Sequence, residues 1–172
     1  MQPNAPHPRP ATPNTAVPPA TYGRGRTVRL AGHDYAADRP IHLTLCARSG
    51  RPFDDGQIAA MVCASVQKSA EMSGYLLFAY CLMPDHLHVL VSPGDSRKPV
   101  AQFLHRLKSF TTHECRRMRG TERLWQTTAH DRVLRDSDDV MTVATYVANN
   151  PVRAGLAQGW SDWPYSRVFY VG

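Results

Sequence analysis

Two histidines stand one residue apart in the apolar stretch CLMPDHLHVLVSP, which begins at Cys81. Alternate residues of a strand point to the same face, so a strand here places the imidazoles of His86 and His88 side by side. Two adjacent imidazoles can bind one divalent metal ion. Two hydrogen-bonded histidines on a sheet surface would give the same pattern, so the pair alone does not decide between these interpretations.

A tyrosine and an asparagine stand four residues apart near the end of a predicted helix, DSDDVMTVATYVANNP. Helical spacing puts Tyr146 and Asn150 on the same side, at the flank of the apolar stripe. The phenol can then approach the sheet while its hydroxyl stays in water. The amide oxygen of Asn150 is a tolerable third ligand for a hard cation.

Basic residues are concentrated in one segment of the second half of the chain. The formal net charge is +6, the isoelectric point is near 9.4, and ten of the 20 lysines and arginines lie between residues 97 and 135. This charge favours an anionic partner, nucleic acid before a membrane surface. The helix predicted in this segment presents either a solvated or a phosphate-binding face. Its candidate contacts are Arg106, Lys108, Arg116 and Arg117.

Hydrophobic periodicity predicts four strands and three helices in the order β-α-β-β-α-β-α. The strands are expected at 39–48, 75–83, 86–92 and 131–135, and the helices at 54–73, 96–120 and 136–151. This order is typical of an α+β, ferredoxin-like or RRM-like βαββαβ fold. The prediction is an antiparallel sheet with helices on one face plus a C-terminal helix that carries Tyr146.

Two local features of the helices are also predicted. In the second helix the apolar stripe is expected to include Phe110, together with Val100, Phe103, Leu104 and Leu107. Ser137 is expected to cap the last helix, which Pro151 ends.

The composition favours a single folded domain, 27–172, after a flexible proline-rich tail, 1–26, that holds half of the 14 prolines. The four cysteines show no metal-binding spacing and are expected to be reduced core residues. No apolar run approaches the roughly 20 residues of a membrane span, and prolines replace the apolar stretch of a signal peptide. A cytoplasmic protein without membrane contact is therefore expected.

The segments YCLMPDHLHVLVSP and, about 60 residues later, TYVANNPVRAGL together resemble the paired signatures of the single-tyrosine HUH transposases. The resemblance is to the REP-associated tyrosine transposases in particular, and it extends from about Ile41 to the WPYS at Trp163. Asp85 stands where relatives often have asparagine, and YVANNP replaces the more usual YIHLNP. Neither change removes a catalytic group.

The resemblance implies a nuclease and strand transferase that acts on single-stranded DNA at hairpin-forming repeats, as a monomer or a homodimer. It implies a Mg²⁺ or Mn²⁺ ion held by His86, His88 and Asn150, which would orient the scissile phosphate. Tyr146 would then attack phosphorus and form a 5′-phosphotyrosine with release of a 3′-hydroxyl. The basic helix and Arg153 would contact the DNA backbone.

Two other functions fit parts of the pattern. A non-catalytic RRM-like module would bind single-stranded nucleic acid by stacking bases on sheet aromatics, but here the corresponding face offers two histidines. A zinc hydrolase also uses paired histidines, but zinc sites recruit further ligands. The remaining candidates near in sequence, His105, His113 and His130, stand at no recognised spacing.

Overall fold

The computed structural model describes residues 39–120 and 123–169. In chain order its main elements are β1 (Ile41–Cys46), α1 (Gly56–Ser73), β2 (Leu76–Leu82), β3 (His86–Ser92), α2 (Val100–Arg119), β4 (His130–Val133), α3 (Val140–Ala148), α4 (Asn150–Arg153) and β5 (Ser166–Val168). The predicted order of four strands and three helices is confirmed. A one-turn helix and a fifth strand follow it. The predicted tail, 1–26, lies outside the described residues.

The strands form one antiparallel sheet in the order β4-β1-β3-β2-β5. The first four strands have the predicted ferredoxin-like arrangement, and β5 extends the sheet beyond β2. The central pairing of β1 with β3 places Thr44 opposite His88 and Cys46 opposite His86. The register therefore puts polar residues of β1 next to the paired histidines of β3.

Alternation along the strands divides the apolar side chains of the sheet between two cores. On one face, Leu43 of β1 and Val89 of β3 pack with residues of α1 and α2. On the other, Leu90 of β3 packs with Ala144 and Val147 of α3. His86 and His88 share the parity of Leu90, so they belong to the α3 side of the sheet. The sheet therefore separates α1 and α2 from the two histidines.

The helix ends follow ordinary capping chemistry, with two corrections. The Asp55 carboxylate accepts hydrogen bonds from two backbone N–H groups in the first turn of α1, and Gly74 ends that helix in the left-handed region at φ 69°. In α3 the cap is Asp139, so the prediction of Ser137 is wrong. The chain first makes a turn in which the Asp138 carboxylate accepts from the Arg135 N–H, and this turn delays the start of the helix. The prediction that Pro151 ends this helix is also wrong, because α3 ends at Ala148 and Pro151 lies in the first turn of α4.

The predicted apolar stripe of α2 is correct except at its end. Phe110 is 45% exposed, whereas Thr111 is fully buried. At 100° per residue, Thr111 lies 40° from Leu107 around the helix and Phe110 lies 60° away on the other side. The Trp125 Nε1–H donates to the Thr111 Oγ1 at 2.7 Å, which makes burial of this hydroxyl favourable. Phe110 is left at the edge of the core.

The remaining composition-based predictions concern cysteines and membranes. All four cysteines are free, and Cys63, Cys81 and Cys115 are buried while Cys46 is half-buried. Within the residues that the structure describes, no helix combines the length and the apolar character that a membrane crossing needs.

Candidate functional site

The two histidines of β3 converge through their ring nitrogens. His86 Nε2 and His88 Nε2 are 3.1 Å apart, and the rings meet edge to face with centroids 4.7 Å apart. Two nitrogens bonded to one ion at about 2.1 Å and at a right angle are themselves about 3 Å apart. The separation of the Nε2 atoms therefore fits two imidazoles that share one divalent ion.

The ring of His86 is oriented by the residue before it. Its Nδ1 lies 2.6 Å from the Asp85 Oδ1, and the side chain is 25% exposed. Histidines that bind metal ions commonly donate their other ring N–H to a carboxylate, which fixes the tautomer and the ring orientation. With Nδ1 donating to Asp85, the lone pair of Nε2 points toward His88.

The ring of His88 is buried and held from β1. Its Nδ1 lies 3.1 Å from the Thr44 Oγ1 and 3.2 Å from the His42 Nε2. Burial lowers the pKa of His88 well below its usual value. Burial, followed by the charges of Arg132 and Arg153, also lowers the pKa of His42 to about 4. Both rings are therefore neutral at neutral pH, the form in which an imidazole binds a metal ion.

Sequence reasoning missed His42 and Thr44. The available signal was the polar face of β1, on which His42, Thr44 and Cys46 alternate with apolar residues. Only the register between β1 and β3 reveals that this face lies beside His88.

The C-terminal helices bring three predicted residues together. The Arg153 guanidinium lies over the Tyr146 ring, 3.8 Å from its centroid. It donates to the Tyr146 backbone oxygen at 2.8 Å and to the Asn150 Oδ1 at 2.7 Å. The Asn150 amide nitrogen donates to the Val147 carbonyl at 2.8 Å. An amide oxygen has two lone pairs, so the Asn150 Oδ1 retains one for a further partner.

The histidine pair and the tyrosine cluster occupy the same side of the sheet. Helix α3 contacts β2 and β3 and forms the core that includes Leu90, two residues after His88. The positive charge of Arg153 contributes to the lowered pKa values of His42 and His88, after burial as the main cause. The structure thus brings both predicted parts of the site to one face, with Arg153 within electrostatic reach of each.

A zinc site of the hydrolase type is not found in the described part of the chain. There, no group of three or more His, Cys, Asp or Glu side chains is placed to hold a metal ion. His105 and His113 lie exposed on α2, which packs on the opposite face of the sheet. Within residues 39–120 and 123–169, a metal bound by His86 and His88 would therefore take no third ligand from a His, Cys, Asp or Glu side chain, which leaves the Asn150 amide as the predicted third ligand.

The basic residues predicted to contact DNA have different surroundings. Arg106, Arg116 and Arg117 are exposed on α2, and Arg117 pairs with Glu114 at 2.9 Å. Lys108 differs because its Nζ donates to three backbone carbonyls, those of residues 126, 127 and 128, at 2.9–3.2 Å. Its DNA contact stays a prediction, but its ammonium group already ties α2 to the segment before β4.

Replacing Lys108 is expected to affect stability. Lys108→Met should lower the free energy of unfolding by about 1–3 kcal/mol, because the three carbonyls lose a charged donor. Urea denaturation followed by circular dichroism measures this. Arg117→Met is the matched control, since its pair with Glu114 is exposed and should contribute less than about 1 kcal/mol. Equal stability of the two variants would contradict a structural role for Lys108.

Comparison with known proteins places the chain among transposases. Residues 37–150 match the family described as "Transposase IS200 like". A putative REP-associated tyrosine transposase of Haemophilus influenzae is 26% identical over an alignment of 113 residues that covers 60% of this chain and 64% of the relative. A REP-associated tyrosine transposase of Escherichia coli is 26% identical over 88 residues, 51% of each protein. The chain thus spans between about half and two thirds of the length of these curated relatives.

A solved structure supports the fold. The structure of a REP-associated tyrosine transposase bound to a REP hairpin matches with a TM-score of 0.62 at 21% identity, over 85% of this chain and 81% of the other. The resemblance that the two sequence motifs indicated is confirmed. The family match covers more than half of the chain and includes the paired histidines, Tyr146 and Asn150. The chain belongs to the IS200-like transposase family.

Proposed function

We propose that this protein is a metal-dependent single-stranded DNA endonuclease and strand transferase. It cleaves at hairpin-forming repeats through a covalent 5′-phosphotyrosine on Tyr146. The observation that carries the proposal is the placement of the converging His86–His88 pair and the Tyr146–Asn150–Arg153 cluster on one side of the sheet. Family membership supports the reaction class, and a protein of similar fold has been solved bound to a REP hairpin.

The donor set fits a divalent cation. His86 and His88 would supply Nε2 atoms, and Asn150 would supply Oδ1. A bound Mg²⁺ or Mn²⁺ provides the positive charge that neutralises and orients the scissile phosphate. The chain itself prepares the ligands, because Asp85 holds one imidazole and Thr44 and His42 hold the other.

Tyr146 is the nucleophile of the proposed reaction. Its oxygen forms a bond to phosphorus while the bond from phosphorus to the 3′-oxygen breaks. The phenol gives up its proton and the departing 3′-oxygen gains one. Arg153 fixes the tyrosine through its ring and its backbone and adds positive charge near the phosphate. Because the phosphotyrosine conserves the bond energy, a 3′-hydroxyl can reverse the step on another strand without ATP.

The alternative, a non-catalytic RRM-like module, receives less support. Such modules stack bases on an open sheet face. Here the corresponding face is partly covered by α3, which buries Phe78, Cys81 and Leu90. The part that remains beside α3 carries histidines.

Metal dependence provides the test. The protein is mixed with a labelled hairpin oligonucleotide from the repeats that flank its own gene, with Mn²⁺ or Mg²⁺. A nick and a protein–DNA band that survives SDS are expected, and EDTA should reduce both at least about a hundredfold. The same sequence as a full duplex is the control and should stay intact. Binding without cleavage under any divalent ion would refute the enzyme and favour the binding module.

A further inference from the structure

Phe110 is an apolar residue that neither core and no part of the proposed active site uses. It is 45% exposed on α2, and Met72 on α1 is 53% exposed. Both belong to the helical layer on the side of the sheet away from His86 and His88. A contiguous exposed apolar surface marks a site of interaction more often than scattered single residues do.

The two residues line a groove between α1 and α2. It encloses about 220 Å³ and is formed by Ser65, Lys68, Ser69, Met72, Arg106 and Phe110. Ser65 and Ser69 are buried, and their small side chains leave the space open. A second depression, of about 600 Å³, lies along the outer side of Arg106 and Phe110. These two residues therefore form a ridge with a hollow on each side.

The groove is positively charged. Lys68 and Arg106 line it, and none of the residues that line the two hollows is an aspartate or glutamate. The Arg106 Nη1 lies 3.7 Å from the Met72 sulfur, which places the guanidinium beside the groove. An exposed aromatic ring flanked by cations matches a ligand with a flat ring and a negative charge. Unpaired nucleotides combine these features, since their bases stack on aromatic rings and their phosphates pair with arginine.

We propose that the groove of Lys68, Met72, Arg106 and Phe110 binds an unpaired nucleotide of single-stranded DNA. The base stacks on Phe110 and the phosphate pairs with Arg106 and Lys68. The choice of DNA as ligand rests on the proposed function. The volume lies below the roughly 300–1,000 Å³ of pockets for larger ligands, so it suits one base rather than a paired segment. The site would grip a single-stranded flank on the face opposite the cleavage chemistry.

Binding is measured by fluorescence anisotropy with a labelled twelve-residue oligothymidylate and full-length protein, without divalent ions so that no cleavage occurs. Phe110→Leu keeps apolar volume but removes the ring, and its Kd should rise at least about fivefold. Phe110→Trp should stay within about twofold of wild type, and DNA should quench its added emission. Arg106→Gln should reduce the salt slope of log K by about 1.

Leu76→Ala is the matched control, because Leu76 is 44% exposed and does not line the groove; its Kd should not change. A Phe110→Leu Kd within twofold of wild type would overturn the proposal. The proposal would also be overturned if Phe110→Leu lost self-association in ultracentrifugation while its DNA binding was unchanged. A second copy of the chain would then be the occupant of the groove. If wild type forms the Tyr146 adduct and Phe110→Leu binds normally, only this proposal fails. If Phe110→Leu weakens DNA binding and wild type forms no covalent adduct, the nucleotide-binding groove is supported and the proposed cleavage is refuted.

Discussion

Tyr146→Phe protein is expected to bind a hairpin oligonucleotide normally and to form no covalent adduct with it. The substitution removes only the phenolic oxygen, while the ring that packs under Arg153 at 3.8 Å is retained. Without the nucleophile, cleavage should fall at least about 10³-fold. Denaturing gels with labelled DNA measure the adduct. Fluorescence anisotropy of the labelled DNA in metal-free buffer, with unlabelled DNA as competitor, measures binding.

Tyr165→Phe is the matched control and should give the wild-type band. Tyr75 and Tyr80 are poor competitors for the role, because burial raises the pKa of each to about 12 and disfavours phenolate at neutral pH. An equal band from Tyr146→Phe would move the nucleophile to another tyrosine. A weaker band together with weaker DNA binding would show that the phenol contributes to binding instead.

Local periodicity was sufficient to predict most of the fold. The alternation in β1 and β3 and the helical stripes of α1 and α2 each lie within one segment, so a single strand or helix determines them. The pairing of His86 with His88 is local for the same reason, since residues two apart on a strand share a face. The three-residue strand β5 was missed because it is too short for alternation to be visible.

The parts that could not be predicted depend on contacts between distant segments. His42 and Thr44 reach His88 only through the register of β1 against β3, and a shift of one residue would turn them to the other face. Lys108 finds its partners in the carbonyls of residues 126–128, in a segment without periodicity. Thr111 takes the buried position that Phe110 was expected to share because Trp125 supplies a donor.

Removing either histidine of the pair is expected to weaken metal binding strongly, but only one removal should also destabilise the fold. His86→Ala and His88→Ala should each weaken Mn²⁺ affinity about a hundredfold or more, with a parallel loss of cleavage. His88 is 3% exposed, and its loss leaves the Thr44 hydroxyl and the His42 Nε2 without their partner. His88→Ala should therefore also lower the free energy of unfolding by about 1–3 kcal/mol.

Titration calorimetry with Mn²⁺ and urea denaturation separate these two effects. His86 is more exposed, and its partner Asp85 is a surface carboxylate that water can solvate, so His86→Ala should keep nearly wild-type stability. His113→Ala, on a side chain that is 73% exposed on α2, should change neither quantity. Unchanged Mn²⁺ affinity in His86→Ala would exclude the pair as the metal site. The close Nε2 contact would then be a hydrogen bond that serves the sheet alone.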